Sequence, residues 1–412
     1  MGMYNARDIQ KELLLYLMVF ITMALVSPPC NYFYSDMGCW QGWTEVISSR
    51  GISHGYDNGA NYMPLFMYFL WIIQFLMGGM MRFYQELYFF KGFILLFDFG
   101  AVLIFLFTLF TDRNRQSYFL ALFLNIALLY NTLLWGQVDA VYTLFAIVAI
   151  YAAAKNKPII ALVFFILSVN SKLQGIVFLP LVILLLAQYY KEKKFIKNAV
   201  LGIIVALVVQ LLILMPFILS GTVNKVWFTI THAVGYYPAI SMNAFNIWMF
   251  FFPKYHHLQL MKVSNLGTFM GITYKLWGLL MFCISSAFVL FPYFIQLFTI
   301  QKNKKLLQWD TVVLAATLLG LLFFYCNTEM HERYVHPAVI MGLAVTLYLR
   351  QYLLYCLLSV AYFANLEKNL HYLGLHNYET VFFNHIFIAA LWSIVLAFFA
   401  ILYYRQIKVA IE

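Results

Sequence analysis

Residues 200–214 read VLGIIVALVVQLLIL, in which Gln210 is the one polar side chain. The run extends from 198 to 219, and at 1.5 Å per residue it reaches roughly 33 Å, enough for a hydrocarbon core near 30 Å. A barrel strand would alternate apolar and polar positions, and neither this run nor LALFLNIALL at 120–129 does so. Both read as membrane helices. The whole chain has the same texture: of 412 residues, 64% are hydrophobic, 19% aromatic and 10% charged, against about a quarter charged in soluble domains. A water-soluble globule is excluded, and so is a β-barrel.

Reading outward from 198–219, spans are predicted at 13–29, 92–110, 117–135, 138–154, 158–169, 175–189, 272–299, 310–326, 334–349, 351–365 and 381–404. The expected fold is all-α: a polytopic integral membrane protein of about 12 helices, one domain over 1–412. It has a long first external loop, 30–91, and a second large external segment, 220–271. Residues 62–80 are apolar enough to cross, but a crossing there would put Lys191, Lys193, Lys194 and Lys197 outside together with Lys302, Lys304 and Lys305, against the positive-inside asymmetry. They are therefore read as an interfacial helix paired with 81–91. With that choice 16 of the 26 Lys and Arg residues face the cytoplasm, among them Arg113, Arg115 and Arg350, and both termini are cytoplasmic. The formal charge of +10 then reports orientation rather than nucleic-acid binding.

Leu13–Val26 follows Arg7 and Lys11 as in a secretory signal, but Ser27-Pro28-Pro29-Cys30 offers no small-residue cleavage pattern, so a retained first span is expected. The five cysteines, Cys30, Cys39, Cys283, Cys326 and Cys356, show no metal-ligand spacing. Cys30 and Cys39 have the separation of a pair in an external loop, but free thiols are the simpler reading.

Ionisable groups inside a membrane cost about 2.5–3.5 kcal/mol each, which makes them candidates for function. Asp36 lies just beyond the first span, where catalysis competes with helix capping. Asp57 in Gly55-Tyr56-Asp57-Asn58-Gly59 reads more readily as a turn residue. Trp135-Gly136-Gln137-Val138-Asp139 is a polar hairpin between two spans. Residues 158–169 cover roughly 18 Å, too little to cross, so the break at Asn170–Gly175 lies at membrane depth and Lys172 should face a cavity open to the outside. His331-Glu332-Arg333 opens an external span start. It fails as a zinc protease motif because position 335 is Val, yet His331 and Arg333 are donors suited to an anion. Asn243 and Asn246, at i, i+3 spacing, would share one helix face and suit sugar hydroxyls.

Taken in order, Ser35-Asp36-Met37 with Trp40 and Trp43, NYMPLFMY at 61–68, LLWGQVDAVYTLF at 133–145, SKLQGIVFLPL at 171–181, ISMNAFNIW at 240–248 and HERYVHP at 331–337 resemble the C superfamily of polytopic glycosyltransferases. More narrowly the chain looks like bacterial relatives of the second GPI mannosyltransferase, over most of its length. The resemblance implies a sugar, mannose in that family, carried on a polyprenyl phosphate and transferred with inversion to a glycan or lipid-linked acceptor outside the cytoplasmic membrane. It implies Asp36 as catalytic base, Arg333, His331 and Lys172 around the donor phosphate, and Gln174, Gln137, Asp139, Asn243, Asn246, Glu332 and Asp57 as substrate-binding candidates. Where relatives carry D-Y-P-P, this chain has N-Y-M-P, which leaves Asn61 without an acid's role. No Gly-rich phosphate loop is present and no cofactor is required; a divalent metal is compatible with the residues but unsupported by them. The competing class is a lipid-linked saccharide flippase or secondary transporter, which would usually show a second broken helix pair.

Overall fold

A computed structural model describes residues 6–28, 34–79, 87–110, 115–233, 235–253, 268–299 and 304–411. Cys30, and with it the question of its pairing with Cys39, and most of the 81–91 helix fall outside the described residues. So do the middle of the 220–271 segment and the basic residues Arg113 and Lys302.

The described chain is almost wholly helical, with a single two-stranded hairpin, Thr268–Phe269 against Ile272–Thr273. Five helices are long and apolar enough to cross a membrane: α4 (Leu87–Thr108), α10 (Phe195–Leu219), α13 (Tyr274–Gln296), α14 (Trp309–Cys326) and α17 (His385–Ile411). A sixth forms if α5 (Arg115–Phe123) and the segment 126–134, bent by 43° from it, count as one span. Among the described residues the predicted dozen is not established by length alone: α3 (Pro64–Leu76), α7 (Asp139–Ala154), α8 (Pro158–Ser171) and α15 (His336–Tyr348) have 10–17 residues each. Such helices fall short of a 30 Å hydrocarbon layer unless paired end to end or buried in protein. Two further long helices among the described residues are α1 (Ala6–Leu25) and α16 (Tyr352–Leu370).

The membrane-length helices divide by burial. In α14, 83% of the most apolar window is covered by protein, against 22% in α10 and α13. The outer pair exposes rows of large apolar side chains, Ile203, Leu207 and Leu211 on α10 and Leu280, Ile284 and Phe288 on α13. A surface of that kind is stable only against lipid or another apolar face.

The first loop departs most from the sequence reading. Its principal element is α2 (Tyr34–Arg50), which packs on α3; the partner of the 62–80 helix is therefore α2, and Leu87 already belongs to α4. Trp40 and Trp43 pack against the rings of Tyr62, Phe66 and Phe90 at 5.4–6.3 Å. With Ile47, Leu70, Ile73 and Phe217 they build an apolar cluster separate from the main core. Helix α3 buries Phe66, Met67, Phe69, Leu70 and Ile73. The apolar patterning of 34–50 is weak, and it is these aromatic contacts that stabilise it as a helix.

The broken span behaves as its length requires. Helix α8 starts with Pro158 in its first turn, ends at Ser171, and the chain continues through Lys172 into a 3₁₀ turn over Leu173–Phe178 before α9 (Leu179–Ala187). A Cβ on Gly175 would come within 2.5 Å of Ser168 Oγ, so glycine is what lets the chain fold back this tightly.

Candidate functional site

Between α2, the Lys172 break, α11 (Val223–His232), α13 and the 327–334 loop lies a cavity of about 1270 Å³. Its polar end holds Asp36, Lys172, Gln174, Lys275, Glu329 and Arg333 with the aromatic rings of Trp40, Tyr62 and Tyr334. Its apolar end is walled by Ile176, Val177 and Pro180, by Leu319 and Phe323, and by the α13 stripe Leu279, Phe282, Cys283, Ser286, Ala287 and Leu290.

Asp36 sits in the first turn of α2, where a carboxylate faces the positive end of the helix dipole. Gln137 Nε2 donates to its Oδ2 at 2.7 Å, and Arg333 Nη2 lies 3.4 Å from the same oxygen; the side chain remains 25% exposed to the cavity. Gln137 reaches it from a tight reversal. The helical segment starting at Ile126 passes through a π-helical turn over Tyr130–Leu134 and reverses at Gly136, φ 75, and the Gln137 amide then bonds the Asn131 carbonyl at 3.0 Å. Asp139 opens α7, fully buried. Lys172 Nζ meets its Oδ1 at 2.5 Å, and Arg333 Nε stands 3.7 Å from its Oδ2. The Lys172 ammonium lies 4.8 Å from the centre of the Tyr334 ring and 5.8 and 5.7 Å from those of Tyr62 and Tyr142, within cation–π range. Arg333 Nη1 also binds Glu332 Oε1 at 2.8 Å.

Arg333 is placed by a buried clamp. Asn246 donates both amide hydrogens, to the carbonyls of Phe324 at 2.9 Å and Asn327 at 3.0 Å, while the Met242 and Glu329 amides bond the Met330 and Ala239 carbonyls. The 240–248 segment and the 327–335 loop therefore form one backbone unit. This corrects the helix-face reading: residues 240–247 are not helical, Asn243 has φ 70 and shares no helix face with Asn246, and Asn246 is fully buried with its donors used.

The structure thus gathers Asp36, Gln137, Asp139, Lys172, Glu332 and Arg333 into one network. Asp36, Lys172, Gln174 and Arg333 line the cavity; Gln137, Asp139 and Glu332 stand behind them. His331 does not line the cavity. It packs on Tyr237 and Tyr334 at 5.0 Å, and burial holds its pKa below the usual histidine value, so it adds no positive charge at neutral pH. Asp57 lines the mouth in a separate cluster, held by Lys225 at 2.7 Å, His54 at 3.0 Å and Arg50 at 3.7 Å; the Lys225 bond keeps its carboxyl below the ordinary range.

Two groupings were missed. Lys275 Nζ and Glu329 Oε1, 2.9 Å apart, line the same cavity, and their separation in sequence gave no local signal. Asp98, in the middle of α4, binds His336 at 3.0 Å and Thr132 at 2.6 Å, all buried. An acid in so apolar a helix was the signal available for it. Among the described residues no group of three or more His, Cys, Asp or Glu side chains is gathered closely enough to hold a metal ion. No protein-family model matches the chain, and no curated protein matches it.

Proposed function

We propose that the chain is a membrane glycosyltransferase that moves a sugar from a polyprenyl-phosphate donor to a glycan or lipid-linked acceptor on the extracytoplasmic face, with mannose as the sugar the resemblance suggests. The bacterial cytoplasmic membrane, cytoplasmic termini and twelve-span topology belong to the same reading. The observation that carries it is the setting of Asp36: a partly exposed carboxylate, aimed by Gln137 and Arg333, at the polar end of a cavity whose other end is apolar. That division of surface suits a substrate with a polar head and a hydrocarbon tail.

In this reading the acceptor hydroxyl attacks C1 of the donor sugar. The C1–O bond to the lipid phosphate breaks, the hydroxyl proton passes to Asp36 Oδ1 or Oδ2, and configuration at C1 inverts. Base catalysis of this kind contributes typically 10² to 10⁴ in rate. A phosphate needs little protonation to leave, so nearby positive charge rather than an acid suffices. Arg333 would orient the Asp36 carboxylate through its 3.4 Å contact with Oδ2. Asp36→Asn should remove transfer from radiolabelled polyprenyl-phosphate sugars in membranes while leaving the amount of inserted protein unchanged; wild-type activity in that variant would refute the role. A transporter would bind the same amphiphile without cleaving it, so release of free polyprenyl phosphate by the purified protein separates the two classes.

A further inference from the structure

The resemblance would seat the lipid phosphate against Arg333, Lys172 and His331. In the structure, however, the two cations among these already face three carboxylates, Asp36, Asp139 and Glu332, with side chains only 7–8% exposed, and His331 is held neutral. An incoming phosphate would meet an excess of negative charge there.

Lys275 is differently placed. It lines the cavity with 31% of its side chain exposed and faces a single carboxylate, Glu329. Glu329 has a second donor, the Gly235 amide at 3.0 Å, so its carboxylate stays bonded when Lys275 turns away. It also holds φ 62, a region that non-glycine residues occupy at a cost, as a site under functional constraint does. Lys275 further stands at the head of the apolar stripe. Leu279, Phe282, Ser286 and Leu290 follow at i+4, i+7, i+11 and i+15, one face of α13 running roughly 22 Å. Gly278 seats that helix against the loop, since a Cβ there would lie 2.9 Å from the Cys326 carbonyl oxygen and 3.1 Å from the Thr328 nitrogen.

We propose that Lys275 is the docking point for the phosphate of a long single-chain lipid phosphate whose hydrocarbon lies along the α13 stripe, the phosphate displacing Glu329 from the ammonium. The proposal rests on the lipid-linked substrate reading for the ligand's class, but it concerns binding and not transfer.

The test measures binding to the full-length protein in detergent micelles by native mass spectrometry, with farnesyl phosphate, farnesol and inorganic phosphate as probes. Wild type should prefer the phosphate over the alcohol by about tenfold, the increment of one charge-assisted contact. Lys275→Met should bring the two to parity with farnesol binding retained, which also reports that the variant is folded. Glu329→Gln should raise farnesyl phosphate affinity severalfold, Ala287→Trp should weaken both prenyl ligands together, and inorganic phosphate at equal concentration should not compete. An unchanged preference in Lys275→Met, or its loss in Lys172→Met instead, overturns the proposal. So does displacement by inorganic phosphate, which would mark an ion site without a lipid. Lys275-dependent preference in a protein that transfers no sugar would leave this site standing and the glycosyltransferase reading refuted.

Discussion

Replacing Asp139 with Asn isolates the energetics of the network behind Asp36. Asp139 is fully buried, and Lys172, 2.5 Å away, is nearly so. At that distance and an effective dielectric near 20 the gross attraction is roughly 6–7 kcal/mol, most of it offset by the desolvation of both ions. Removing one partner leaves the other charge buried and uncompensated, which typically costs about 3–5 kcal/mol. Arg333 loses its 3.7 Å contact as well. Equilibrium denaturant unfolding in micelles should therefore show Asp139→Asn less stable by about 3–5 kcal/mol. The double variant Asp139→Leu with Lys172→Met removes both charges and should return to within about 1 kcal/mol of wild type, because an apolar pair of similar volume carries no unpaired ion. If Asp139→Asn unfolds within about 1 kcal/mol of wild type, or the double variant is no more stable than the single one, then the pair is not a buried ion pair and the reasoning fails.

Gly278→Ala should destabilise by about 1–3 kcal/mol through overpacking on the Cys326 and Thr328 backbone, read by the same unfolding assay. Asp98→Asn should cost about 1–3 kcal/mol by disturbing the buried bonds to His336 and Thr132, with no loss of cavity ligand binding. Asp57, whose carboxyl is held below its ordinary value of 3.8 chiefly by Lys225, contributes stability that is present above that value and lost as pH falls through its lowered one. Because Lys225 is 47% exposed, the pair is worth at most about 1 kcal/mol. Proteolysis near α11 should accelerate slightly in acid for wild type and be insensitive to that pH range in Asp57→Asn.

The long apolar helices were legible because continuous hydrophobicity is a one-dimensional property. The predicted 310–326 is Trp309–Cys326, and 198–219 is Phe195–Leu219. The break at Lys172 was legible from length alone, and its exposure to a cavity followed. Helix α2 was not, because Gly38 and Gly42 and a mixed polar pattern hide it, and its helicity comes from aromatic partners elsewhere in the chain. The site residues were found individually as ionisable groups beside spans. Their roles were harder to read, since whether Asp139 or Glu332 faces substrate or another side chain depends on packing between distant segments. Asn243 and Asn246 show the same limit: i, i+3 spacing carries meaning only within a helix, and here the chain is irregular and pairs with another loop.

The clamp between the 240–248 segment and the 327–335 loop also bears on biogenesis. Asp36 and Lys172 are synthesised early, whereas Arg333 and the loop that holds it arrive only with the last third of the chain and are fixed by Asn246 and the Ala239 and Met330 carbonyls. Pairings so distant in sequence close late, after the entropy of a long intervening chain has been overcome. A nascent chain therefore carries the acid and the lysine before the arginine that joins them, and the loop that fixes it, have been made.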